Sequence, residues 1–244
     1  MIGLCLLLQV LAVSDPSARM GMGDEAFQRI DYPSAVAAYE DALRVQPSNP
    51  EISWRLARAY VCMGEVADAA RREELFRTAE SYARRSIAAD SACSEGHTWL
   101  AGALGYLAYY GGNGEQIRLS HEVLQEANRA IALNGGDDAA YSIKGSLYRA
   151  LANVGWLQKE LATILYGKLP PGAFEEAEAA LKKAIALAPD VMRHHYELGV
   201  VYLDWGKSGE AVQVLRHAAT LPVRVAIDRP RLEKIKELLG KLEN

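Results

Sequence analysis

Residues 21–47, GMGDEAFQRIDYPSAVAAYEDALRVQP, and residues 197–222, ELGVVYLDWGKSGEAVQVLRHAATLP, carry one pattern at opposite ends of the chain. In each, a glycine precedes an alanine by the same interval (Gly23 to Ala35, 35 − 23 = 12; Gly199 to Ala211, 211 − 199 = 12). A bulky residue follows four positions later (Tyr39, Leu215), a small one three after that (Ala42, Ala218), and then a proline (Pro47, Pro222). Positions i, i+4 and i+7 share one face of an α-helix. Each stretch therefore reads as two helices, A and B, joined by a tight turn. The small residue on helix A lets helix B approach, and the alanines of helix B return the fit. One such hairpin cannot bury its apolar stripe alone, so several must stack.

Three more units lie between these two. One pairs Trp54, Ala57, Arg58 and Val61 with Ala79, Ala83 and Ser86. The next pairs His97, Leu100, Ala101 and Leu104 with Val123, Ala127, Ala130 and Leu133. The fourth pairs Tyr141, Lys144, Gly145 and Tyr148 with Ala177, Leu181, Ala184 and Pro189. Large residues such as Trp54, Tyr141, Leu198 and Tyr202 are expected to fill the space between hairpins. The interval from A to B widens to 79 − 58 = 21, 123 − 101 = 22 and 177 − 145 = 32 in these units. Longer helices are expected in the second and third, with 111–114 (GGNG) as the turn in the third. The fourth holds an amphipathic insert from Trp156 to Tyr166, closed by Pro170 and Pro171. Asp228 is expected to cap a last helix with Pro230 in its first turn and Leu232, Ile235, Leu238 and Leu239 sealing the open end. The fold expected is all-α: a right-handed superhelical solenoid of tetratricopeptide-type hairpins, with extended middle repeats and a C-terminal capping helix. Residues 15–244 read as one domain of five hairpins plus that cap.

Residues 2–13 form an apolar run shorter than the ~20 residues a bilayer span needs. They fit the apolar region of an export signal, with Ala12, Val13 and Ser14 supplying small residues for cleavage; a short hydrophobic helix at the solenoid's end is the alternative. The expected location is accordingly exported, periplasmic or secreted, if the segment is a signal, and cytoplasmic otherwise. Of 244 residues, 50% are hydrophobic and 24% charged, with a net charge of −4. No bulk basic charge favours nucleic acid. Cys5, Cys62 and Cys93 show no CxxC spacing, so a metal knuckle is not expected, and Cys62 and Cys93 read as buried core residues or as one pair.

The runs EISWRLARAY (51–60), HTWLAGAL (97–104), EANRAIALN (126–134) and GWLQKELATILYGKLPPGAFEEAEAALKKAIALAP (155–189) resemble the tetratricopeptide domain of the regulator of microtubule dynamics family over roughly residues 20–240. The insert ending in Pro170 and Pro171 is the most specific part of that resemblance. It implies a non-catalytic domain that binds partners, among them proteins at organelle contacts, microtubules and phospholipids.

No HExxH, GxSxG or GxxxxGK[ST] motif occurs, so no enzyme is expected, and neither catalytic residues, a metal nor a cofactor is assigned. His194 and His195 are adjacent and point about 100° apart on a helix, which does not suit a shared metal. His97 and His195 read as structural residues at equivalent core edges. In such a solenoid the A helices line the concave face. One position past the core slot gives an inner stripe: Arg55, Ala59, Cys62; Thr98, Gly102, Gly105; Ser142, Ser146, Arg149; Tyr196, Val200, Leu203. Small residues there leave room for a guest, and arginine can grip a carboxylate or phosphate. From this stripe and the aromatic group Trp99, Tyr106, Tyr109 and Tyr110, the candidate groove residues are Arg55, Thr98, Tyr106, Ser142, Arg149 and Tyr196. The chain is expected to hold a protein or peptide in this groove; a phospholipid or other hydrophobic ligand is the alternative.

Overall fold

A computed structural model describes residues 15–111, 113–155, 163, 169–170 and 172–243. The expected export segment at 1–14, Gly112, most of the insert from Trp156 to Tyr166, and Pro171 lie outside these residues. Eleven α-helices and no strands occur among the described residues. They are α1 (Pro16–Gln28), α2 (Tyr32–Val45), α3 (Pro50–Val66), α4 (Ala69–Ala89), α5 (Ser94–Tyr110), α6 (Asn113–Leu133), α7 (Asp138–Ala152), α8 (Phe174–Leu187), α9 (Met192–Asp204), α10 (Ser208–Ala218) and α11 (Asp228–Leu242).

Local chemistry sets the starts. The carboxylates of Asp15, Asp31 and Asp137 and the amide oxygen of Asn49 accept hydrogen bonds from first-turn N–H groups. Proline follows in the first turn of α1, α2 and α3, where its missing N–H costs nothing. Two of the turns inside hairpins need a left-handed residue. Gly206 (φ 78°) supplies it in the last hairpin, and Ile30 (φ 63°) occupies the matching slot in the first. The slots match because 206 − 30 = 176, the interval that also separates Gly23 from Gly199.

Five hairpins form: α1–α2, α3–α4, α5–α6, α7–α8 and α9–α10. Small residues on A helices meet large ones on B helices. A Cβ added at Gly145 would sit 2.6 Å from Leu181 Cγ, and one at Gly199 would sit 2.5 Å from Leu215 Cδ2. Gly23 is covered in the same way by the Tyr39 ring. These are the glycine and bulky-residue pairs that the spacing picks out. The middle units are long, as their widened intervals require: α4 and α6 run 21 residues each, against 14 for α2 and 11 for α10. The glycine turn is shorter than expected, since Asn113 and Gly114 already belong to α6.

The A helices pack along one layer, α3 against α5, α5 against α7, α7 against α9 and α9 against α11. Leu198 and Tyr202 are buried, whereas Trp54 and Tyr141 are half-buried. Trp54 carries the Arg55 guanidinium over its ring at 4.3 Å. The last helix buries Ile235 against Met192, Leu215 and Ala218, with Leu232, Leu238 and Leu239 beside it. Asp228 does not cap α11 as expected. It is buried, and its carboxylate accepts from the upstream N–H groups of Arg224 (3.0 Å) and Val225 (3.1 Å) while pairing with Arg231. No described helix is long and apolar enough to cross a membrane.

Candidate functional site

The inner layer of A helices leaves a cavity of ≈ 640 Å³ between α5, α7 and α9, closed on one side by α6. Its lining is mostly apolar, with Ile117, Val123, Ile143, Leu147, Leu151 and Val200 among the contributors. Two small residues open it. Among the described residues, a Cβ added at Gly105 would meet nothing within 4 Å, and one at Gly102 would come no nearer than 3.5 Å to Ile143. These glycines differ in kind from Gly145 and Gly199, whose missing side chains are filled by a neighbouring helix.

Of the expected groove residues, Tyr106, Arg149 and Tyr196 line this cavity, and so do Gly102, Gly105, Ser146 and Val200 of the inner stripe. Arg149 is held by Asp204 at 2.9 Å and by Glu197 at 3.9 Å. Burial works against its charge, but those two carboxylates outweigh it and hold its pKa above the usual value. Ser146 Oγ donates to Glu197 at 3.0 Å, which ties α7 to α9. Tyr106 stacks on Phe76 of α4 with ring centres 4.7 Å apart, and burial raises its phenol pKa. Tyr110 also faces Phe76, whereas Tyr109 is exposed at the cavity mouth.

The other three are placed differently. Thr98 is buried, with its hydroxyl donating to the Ser94 carbonyl and to Asp137, the residue that caps α7. Ser142 is buried as well. Both sit one helical turn too early on their A helices, where adjacent hairpins touch and no cavity opens. Arg55 lies outside the cavity on α3, paired with Asp24 (3.1 Å) and Glu51 (3.2 Å). The rest of its stripe, Ala59 and Cys62, is buried, and burial together with Glu65 pushes the Cys62 thiol up to about 12.

The reason is a contact that no local signal announces. Glu65 on α3 has a side chain only 3% exposed, and one of its oxygens receives three partners. Tyr106 donates its hydroxyl, Arg193 of α9 stands at 3.6 Å, and Arg231 of α11 at 4.0 Å. Arg193 also donates to Tyr106 Oη at 3.1 Å. Beside this cluster the Ala226 N–H donates to Tyr32 Oη at 2.9 Å, across 194 residues of sequence. The solenoid thus curls until its last helices touch its first two hairpins, and the concave face of α3 is occupied by the chain itself.

Three of the five histidines are engaged within the chain: His97 pairs with Glu126 and the Ser91 carbonyl, His194 with Asp138 at 2.7 Å, and His195 with the Pro189 carbonyl at 2.7 Å. Among the described residues no group of three or more His, Cys, Asp or Glu could hold a metal ion.

An inner layer of helices around a cavity, with a second layer outside, defines a helical-repeat solenoid of the tetratricopeptide kind. The chain belongs to the family described as Regulator of microtubule dynamics protein 1-3, which it matches over residues 22–243. It is 29% identical to Regulator of microtubule dynamics protein 3 of Xenopus laevis over 191 residues, 78% of this chain and 41% of that protein. It is 25% identical to the human protein 2 over 195 residues, 79% of this chain and 48% of that protein. The chain therefore spans under half the length of these relatives. Among solved structures it resembles TTC0263, a tetratricopeptide protein of Thermus thermophilus (TM-score 0.69, 20% identity, covering 93% of this chain and 100% of that one). It also resembles a chain of the Cut9–Hcn1 hetero-tetramer (TM-score 0.64, 16% identity, covering 95% of this chain and 37% of that one).

Proposed function

We propose that the chain is a non-catalytic scaffold that holds a short protein or peptide segment in the cavity between α5, α7 and α9. The observation that carries this is the open space at Gly105, in the middle of the inner layer. A glycine in a helix interior costs about 1 kcal/mol relative to alanine. That cost is recovered at Gly145 and Gly199 by close packing, but at Gly105 nothing among the described residues takes up the space. The apolar walls would bury side chains of the guest, while Ser146, Arg149, Tyr196 and Glu197 at one side supply polar contacts. A long guest running the full length of the superhelix does not fit this reading, because Glu65 and its partners occupy the face of α3.

The cavity's size and apolar lining also favour a second reading, a hydrophobic small ligand or lipid, since such sites commonly enclose about 300–1,000 Å³ and this one encloses ≈ 640 Å³. The test is capture of host proteins by immobilised wild type and by Gly105→Leu, together with native mass spectrometry of the purified chain. Protein capture lost in Gly105→Leu supports the first reading. An adduct of lipid mass that disappears in the variant supports the second. Capture and mass that are identical in both proteins remove the cavity from the account.

A further inference from the structure

The first turn of α11 does something that an end cap does not require. Sealing the solenoid is achieved by Ile235, Leu232, Leu238 and Leu239 against α9 and α10. The residues before them instead reach across the superhelix: Ala226 to Tyr32 of α2, and Arg231 to Glu65 of α3. Both charged partners are removed from water, with side chains 6% and 3% exposed. Desolvating two charges offsets most of their attraction, so a buried pair adds little stability compared with apolar residues of the same size. A contact of this kind fixes a particular arrangement, and a departing Arg231 leaves Glu65 with Tyr106 and Arg193 as partners, so its charge is not stranded. The segment also carries its own brace. Asp228 holds the Arg224 and Val225 N–H groups and Arg231, which pre-forms the hook before it docks.

We propose that residues 224–231 are an intramolecular ligand for the concave face of the first two hairpins, and that this face binds a partner segment presenting an arginine or lysine to Glu65 once the hook is displaced. The proposal rests on the concave side being the binding side, but concerns a different stretch of it from the cavity. The site the hook fills is made of Tyr32, Cys62, Glu65, Tyr106 and Arg193: one buried carboxylate that keeps Arg193 at 3.6 Å and takes the cation of the hook as a second partner at 4.0 Å. The link to the cavity is direct, since Tyr106 and Arg193 belong to both. A hook on the same chain acts at an effective concentration of the order of millimolar or above, so an identical segment added in trans at micromolar concentration cannot compete with it.

The experiment uses the full chain and a fluorescein-labelled synthetic peptide of residues 220–233, read by fluorescence anisotropy. Arg231→Met weakens the tethered hook and is expected to bind the peptide at least tenfold more tightly than wild type. Arg231→Met combined with Glu65→Gln, which removes the carboxylate, is expected to lose that gain. Asp228→Asn, which loosens the brace on the hook and leaves the docking face unchanged, covers the case in which Arg231→Met does not fold; it should speed hydrogen exchange at Val225 and raise peptide binding. Folded Arg231→Met and Asp228→Asn proteins that bind no better than wild type overturn the proposal, as does a gain that survives Glu65→Gln. The peptide contains nothing that depends on the cavity, so a failure of the cavity reading in Gly105→Leu leaves this result interpretable.

Discussion

Replacing Gly105 by leucine separates the two kinds of glycine in this fold. At Gly105 the new Cβ meets nothing within 4 Å among the described residues, so the branch point of the leucine is accommodated and its end enters the cavity. The substitution also removes the helix-interior penalty of glycine, about 1 kcal/mol. For a domain of 150–250 residues that corresponds to a melting temperature raised by about 2–4 °C. The same substitution at Gly199 drives a side chain into Leu215, whose nearest atoms lie 2.5 and 2.6 Å from the added Cβ. Overpacking of this kind costs about 1–3 kcal/mol for small intrusions and more for a whole leucine. Gly199→Leu is therefore expected to lose at least about 2 kcal/mol, a fall of about 4–8 °C. Circular dichroism melts of the two variants beside wild type give the comparison. Gly105→Leu should also lose partner capture at least tenfold, about 1.4 kcal/mol, while remaining as stable as wild type or more so. A Gly105→Leu protein that melts below wild type would show that the space at α5 is needed for packing. A stable one that captures its partner undiminished would show that the cavity is not where binding occurs.

Two further outcomes follow from the geometry. Ile30 holds a left-handed conformation that costs a β-branched residue roughly 1–2 kcal/mol, in a slot filled by Gly206 in the last hairpin; Ile30→Gly should raise the melting temperature, and a clear fall would mean that its half-buried side chain matters more than its backbone. Burial, opposed by the Pro189 carbonyl and reinforced by the neighbouring His217, lowers the pKa of His195. Its neutral form is the native one, so the stability it contributes is present above its ordinary value of about 6.5 and is lost as pH falls through the depressed native value. Melting temperature measured from pH 8 to pH 5 should fall less steeply in His195→Gln than in wild type, and parallel curves would contradict this.

What can be read from the sequence is set by distance along the chain. The pairs Gly23 with Tyr39, Gly145 with Leu181 and Gly199 with Leu215 lie within single hairpins, and the repeat period exposes them. The long α4 and α6 follow from the widened intervals. The inner stripe meets the cavity at Gly102, Gly105, Ser146, Arg149, Tyr196 and Val200, because a helical face continues once its start is known. It misses the cavity at Thr98 and Ser142, which are buried, while Tyr196 at the matching place on α9 reaches it, because sequence periodicity does not say where two helices begin to diverge. Asp228 departs from its expected role for a related reason: an acid near a proline reads as a cap, but this one binds backbone N–H groups of the loop before it. The cluster of Glu65, Arg193 and Arg231 has no signal in the repeat pattern. It depends on how small rotations between successive hairpins add up until α9 and α11 meet α3. The charge pattern offers only a weak hint, in that Glu65 falls near the end of a helical face shared with Trp54, Arg58 and Val61.

On the proposed function the partner sits between α5, α7 and α9. A photo-crosslinking amino acid placed at Val200, on the cavity wall, and separately at Lys183, exposed on α8, tests it most directly. After irradiation in the host, the Val200 position should yield a discrete adduct that is absent from the Lys183 position. Adducts from Lys183 with none from Val200 would place the binding surface on the outside of the solenoid and contradict the account.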